Sequence, residues 1–181
     1  MVLDRFSYDS NATALVSRLP WLYGAVDYFA LRFPARTAAG LVVIAPTQAC
    51  ESLWCPWPID PAVECVTGDA PTIAVVTRLL ERLLAEVPPG LVTPPSRRAA
   101  WAALLAAMPP LPLTADGSRL APAQAYTSPK ARNSESVAMY SVHPARHFSG
   151  ELRASRKWWR AHCPVLPASR RRRCPVREVV R

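Results

Sequence analysis

Two carboxylates of the sequence stand close to side-chain amides. Glu135 follows Asn133 in a proline-bounded segment, and Glu51 follows Gln48. The Asn133 amide can orient a water molecule while Glu135 accepts its proton, which suits general-base chemistry. The polar groups of Gln48 and Glu51 suit hydrogen bonds to a ligand. The alternative for both pairs is that they are ordinary loop side chains that satisfy nearby backbone groups.

Two tryptophans follow Glu51 within the stretch from Pro46 to Gly68, which we predict to be one long loop. Trp54 and Trp57 lie there among several prolines. A loop of more than about 20 residues is unusual in a compact domain and is often functional. Aromatic rings and polar groups in one such loop indicate a binding surface.

Three amphipathic helices are predicted to position these segments, over residues 10–33, 71–87 and 94–108. Apolar residues recur on one face of each at helical spacing, and prolines follow each helix. Asp9 or Ser10, Asp69 or Ala70, and Thr93 are the expected caps, and Pro20 is expected to kink or interrupt the first helix. Short strands are predicted at residues 41–44 and 120–126. The apolar faces comprise Leu15, Leu19, Leu22, Val26, Phe29 and Phe33 in the first helix; Ile73, Val76, Leu80, Leu83 and Val87 in the second; and Trp101, Leu104, Leu105 and Met108 in the third.

The positive charge of the chain is concentrated at its C-terminal end. The net charge is +9, from 22 basic and 13 acidic side chains. Residues 1–150 contain 12 basic and 11 acidic side chains, and residues 151–181 contain 10 and 2. We therefore predict a nearly neutral body over 1–150 and a disordered basic tail over 151–181. Arg170, Arg171, Arg172 and Arg173 are its candidate polyanion-binding residues.

Several other classes of function lack their sequence signatures. The spacing of Cys50, Cys55 and Cys65 matches no common zinc pattern, and Pro144 separates His143 from His147. There is no Gly-rich phosphate loop and no Ser–His–Asp order. We predict no metal, no cofactor and no membrane span. The N-terminal residues do not resemble a signal peptide.

The order of several short motifs resembles the six-hairpin, (α/α)-toroid proteins related to glycoside hydrolase family 95, which includes α-fucosidases and α-galactosidases. The resemblance covers about 130 residues. It rests on the helix end at 24–34, the strand and Pro-x-Gln-x-x-Glu loop at 40–54, and the helix start at 70–80. It also rests on Arg98-x-x-Trp101, on Met108-Pro-Pro-Leu-Pro112, and on the closing segment with Arg132-Asn-Ser-Glu135 and Met139-Tyr-Ser-Val-His-Pro144.

This resemblance implies a mainly α fold that forms an incomplete (α/α)6 toroid over residues 1–150. It implies that Glu135 activates water with Asn133 as its amide partner. The polar side chains of Gln48 and Glu51 would bind sugar hydroxyls, and Trp54 and Trp57 would stack on a sugar face. The general acid that glycoside hydrolysis also needs would lie upstream of Met1. The chain is therefore expected to be an inactive fragment that binds carbohydrate weakly, and such families are often secreted.

Two rival interpretations come from the tail. In one, the chain is an interaction module whose basic residues 151–181, with Trp158 and Trp159, bind polyanions or nucleic acid non-specifically and with strong salt dependence. In the other, the tail is a translated frame-shift or read-through product that has no function.

Overall fold

The computed structural model of the protein describes residues 2–49, 66–126 and 136–146, which belong to one compact unit, Met1–His147. Helix α1 spans Val2–Asp9, α2 spans Ala12–Arg32, α3 spans Ala70–Glu86 and α4 spans Ser96–Ala106. Strand β1 (Val66–Asp69) and strand β2 (Ala123–Tyr126) form a small antiparallel sheet. Single 3-10 turns lie at Pro89–Leu91 and Val137–Ser141. The prediction of a mainly α body with little strand is confirmed.

Helix α2 confirms the first predicted helix, with a different cap. Asn11 is the N-cap, and its Oδ1 accepts a hydrogen bond from the Ala14 N–H at 2.9 Å, so the predicted cap at Asp9 or Ser10 was wrong. The helix also continues through Pro20 without interruption. Pro20 lacks the N–H that would reach the Val16 carbonyl. Both residues are exposed, so water can satisfy that carbonyl.

Helix α3 begins as predicted, because Asp69 caps it and Pro71 occupies its first turn. A proline is favourable there, since its missing N–H would have no partner inside the helix. Helix α4 differs from the expectation, because Pro95 occupies the cap position and makes no side-chain hydrogen bond. Thr93 lies two residues too early, and the backbone bond from Arg97 N–H to the Pro94 carbonyl (3.0 Å) starts the first turn.

The hydrophobic core is formed largely by the apolar helix faces that the sequence predicted. The predicted faces of α2 and α3 are buried, except that Leu22 and Val76 are only partly covered. Trp101 of α4 is fully buried, and its ring centre lies 5.4 Å from that of Tyr23 of α2. Arg98 donates hydrogen bonds to the carbonyls of Val87 at 3.0 Å and Leu84 at 2.6 Å. These bonds satisfy orphan carbonyls at the C-terminal end of α3 and hold α4 against it.

The strands differ from the predicted ones. Residues 41–44 form only an isolated bridge, Val42 to Arg36, because Pro34 and Pro46 cannot donate to a longer ladder. Residues 66–68, predicted as the end of a loop, belong to β1. The predicted strand at 120–126 is confirmed over Ala123–Tyr126.

Among the described residues, the helices are too short or too polar to cross a lipid bilayer.

Candidate functional site

The start of the Pro46 segment is fixed by β1 and by the cap of α3. The Thr47 N–H donates to the Val66 carbonyl at 3.0 Å. The Thr47 hydroxyl donates to Asp69 Oδ2 at 2.7 Å. The other oxygen of Asp69 accepts the Thr72 N–H at 2.8 Å. Asp69 is fully buried and has a donor on each oxygen, so it joins the segment rigidly to the helix.

Gln48, which follows Thr47, is exposed, and the next residue, Ala49, is buried. The backbone before Gln48 is tethered a second time, because Arg32 Nη2 donates to the Pro46 carbonyl at 3.0 Å. Gln48 is therefore exposed to solvent next to backbone that these two hydrogen bonds hold. Its role as a ligand contact stays a prediction.

The other predicted site residues lie outside the described residues. They are Glu51, Trp54 and Trp57 of the predicted binding loop, Asn133 and Glu135 of the predicted base pair, and Arg170, Arg171, Arg172 and Arg173 of the tail.

The described residues that flank the two candidate segments lie together. Ala49 and Val66 flank residues 50–65, while β2 and Val137 flank residues 127–135. Ala49, Val66 and Val137 form one buried cluster with Ala123 of β2. Val66 also pairs directly with Tyr126 in the sheet. The described residues that flank the two segments therefore lie together beside the β1–β2 sheet.

All seven carboxylates of the described residues are engaged by protein groups. Asp4 and Glu86 bind Arg82, Asp9 binds Arg5, Asp27 binds Arg97, Asp69 binds Thr47, Glu81 binds Arg78, and Asp116 binds Thr114 and Ser118.

For Asp116 and Glu86, these partners lower the pKa of the carboxyl group. The hydrogen bonds from Thr114 and Ser118 hold the pKa of Asp116 well below its usual range. Burial raises the pKa of Glu86, but hydrogen bonds from Arg82 and Ser7 outweigh it and leave that pKa below normal. A general base should instead have a pKa near the working pH.

No protein-family model matches the chain, and no curated protein matches it.

A cleft between α2 and α4 was not anticipated from the sequence. Its volume is about 700 Å³, and its lining includes Ala30 of α2 and Ala100 and Ala103 of α4. At its edge, Arg97 Nη1 lies 2.8 Å from both oxygens of Asp27, and its guanidinium covers the ring of Tyr23 at 4.6 Å. The contact between Arg97 of α4 and Asp27 of α2 joins residues 70 positions apart. It could therefore be found only in the structure.

Proposed function

We propose that the chain is the helical body of a carbohydrate-active, glycoside-hydrolase-like protein, and that residues 50–65 and 127–135 carry its sugar contacts. The observation that supports this most strongly is the convergence of both segments on one sheet end. Two loops that start from a common rigid base can meet on one ligand, as binding loops on a scaffold commonly do.

The candidate catalytic residues fit this proposal by their position in the sequence. Glu51 follows the buried Ala49 by two residues, and Glu135 precedes the buried Val137 by two. Two residues span at most ~7 Å of extended chain. The carboxylates of the described residues are all engaged by protein groups, which favours a base elsewhere in the chain. The resemblance indicates Glu135 for that role and Glu51 as a sugar contact.

The (α/α)6 toroid is part of the same proposal. Helices α3 and α4 pack against one another, as do α1 and α2, and pairs of packed helices are the unit of such a toroid.

We expect the chain to bind sugar weakly and not to hydrolyse it. Hydrolysis needs a proton donor and a second carboxyl group on opposite sides of the scissile bond. Glu51 and Glu135 both belong to segments rooted at one sheet end, so both would approach the sugar from the same side. The acid would have to come from another part of the carbohydrate-active protein.

The test is a binding and hydrolysis assay of the purified chain with aryl α-fucosides and α-galactosides. We expect a dissociation constant of the order of 1 mM and no release of the aryl group. Glu51→Gln and Glu135→Gln should each weaken binding about tenfold, since hydrogen bonds to a charged group are the stronger ones.

Asp116→Asn is the matched control, because Asp116 is engaged in its own turn with Thr114 and Ser118 and should leave binding unchanged. No binding of any glycoside would contradict the proposed function. Turnover that either substitution abolishes would instead show that both catalytic groups reside in this chain.

A further inference from the structure

Helix α2 has a second apolar face that nothing in the described structure covers. Trp21, Tyr28 and Leu31 are 79%, 69% and 80% exposed. They recur at spacings of seven and three residues, so they lie on one side of the helix. The buried residues of α2, which include Leu15, Leu19, Val26 and Phe29, lie on the opposite side. The helix is thus apolar on both sides, although an ordinary surface helix has one apolar stripe.

The residues at the centre of this outer face have small side chains. Gly24 lies between Trp21 and Tyr28, is exposed, and has no heavy atom within 4 Å of the place where a Cβ would stand. Gly in the middle of an exposed helix is unfavourable relative to Ala. Ala25 follows it. These two small residues leave room for another helix to approach closely, and the two aromatic residues flank them.

The arrangement is complementary to itself. When two copies of α2 lie antiparallel and cross between Gly24 and Ala25, Trp21 of one copy stands opposite Tyr28 of the other, and the reverse contact forms by symmetry. Such an isologous contact is the commonest form of homodimer interface. Trp and Tyr are also the residues that most often dominate interface energies.

The area of this face suits a second copy. A Trp or Tyr buries about 150–250 Å² when it is covered. At the exposed fractions given above, and with Leu31 included, each copy would bury roughly 400–500 Å² of its surface in the contact. A symmetric pair would bury about 800–1,000 Å² in total. That total lies at the lower limit of specific interfaces, where association is weak and depends on concentration.

We propose that the Trp21–Gly24–Tyr28–Leu31 face of α2 binds the same face of a second copy of this chain, forming an antiparallel helix pair. Each copy has a net charge of +9, so like-charge repulsion opposes the association and salt should screen it. Dimerisation through this apolar face therefore becomes stronger as salt is added. Association through the arginine-rich tail and an anion would become weaker.

The test is sedimentation equilibrium of the full chain from low micromolar to several hundred micromolar concentration, at low and high salt. We expect a monomer–dimer equilibrium that shifts towards dimer at high salt. Trp21→Ala should lower the association constant at least about tenfold, as truncation of a central interface tryptophan usually does. Tyr8→Ala is the matched control, because Tyr8 is 93% exposed on α1 and is not part of the face.

Gly24→Gln separates a loss of association from a loss of folding. Gln is a better helix former than Gly and has open space at this position, so the variant should be at least as thermally stable as the natural chain. It should nevertheless remain monomeric, because its side chain holds the two helices apart. A natural chain that stays monomeric throughout would overturn the proposal, as would a dimer that Gly24→Gln leaves intact or that weakens with salt.

Discussion

At the scale of single residues, Gly68 is the position where the backbone most clearly demands its residue type. It has a φ of +61° inside β1, and a Cβ built on it would overlap the side chain of Gln124 on β2. Its N–H also donates to the Ile44 carbonyl at 2.8 Å. Gly68 therefore lets β1 turn into Asp69, which caps α3 and holds Thr47.

Gly68→Ala should consequently destabilise the protein more than Gly117→Ala does. Gly117 has a similar φ of +68°, but no atom lies within 4 Å of its added Cβ. The backbone cost common to both is about 1–2 kcal/mol. Only at Gly68 must a neighbouring side chain, the exposed Gln124, also move away, which adds a smaller cost. Thermal unfolding of both variants measures the difference.

The same pair of substitutions in a Gln124→Ala background supplies the control. Removal of the Gln124 side chain should bring the two destabilisation energies close together. If the difference persists unchanged, then the Gln124 contact is not its cause.

At the scale of the elements, α1 is joined to α3 by a polar cluster around Arg82. This guanidinium donates to Glu86 at 2.6 and 2.8 Å and to Asp4 at 2.7 Å, and Ser7 donates to Glu86 at 2.9 Å. All four side chains remain partly exposed or near the surface, so solvent screens the ion pairs. Their pH dependence is easier to predict than their absolute energy.

We expect this cluster to contribute stability that is lost in acid. The pKa of Glu86 is lower in the folded protein than its ordinary value of 4.5. A carboxyl with a depressed folded pKa contributes stability above its unfolded pKa, and the contribution disappears as the pH falls through the folded pKa. The midpoint of thermal unfolding should therefore fall below pH ~4.5, and Glu86→Gln should flatten part of that decrease.

Glu81→Gln is the corresponding control on α3, because Glu81 binds only the nearby Arg78 on the same helix. An acid profile of Glu86→Gln identical to that of the unmodified chain would show that the α1–α3 cluster is not formed in solution.

The elements also show which parts of the fold a sequence can reveal. Helices α2 and α3 could be predicted from the sequence, because their apolar residues recur at helical spacing and this spacing identifies the buried face directly. The short strand β1 could not be read in this way. It contains Gly68, has four residues, and pairs with residues more than fifty positions later, so only tertiary contacts stabilise it. Helix α1 was also missed, since half of its residues are polar and its ion pair with Arg82 of α3 joins residues 78 positions apart.

At the scale of the whole molecule, the sequence could indicate Gln48 as a candidate ligand contact but not the structure that holds it. The chemistry of Thr47 and Asp69 is ordinary in sequence, and their contact joins residues 22 positions apart. Ala49, Val66 and Val137 are likewise distant in the sequence, and their common cluster depends on how β1 pairs with β2. Candidate residue types can therefore be found in the sequence, whereas the common base of the two segments required the fold.

The most direct test of the proposed function is a titration of the labelled chain with an α-galactoside and an α-fucoside, followed by amide chemical shifts. We expect the largest changes at the residues that flank the two segments, which are Gln48, Ala49, Val66, Tyr126 and Val137. The amides of Arg97 and Trp101, which line the separate cleft between α2 and α4, should change little. Shifts confined to that cleft, or no shifts with either sugar at concentrations above ~1 mM, would contradict the account.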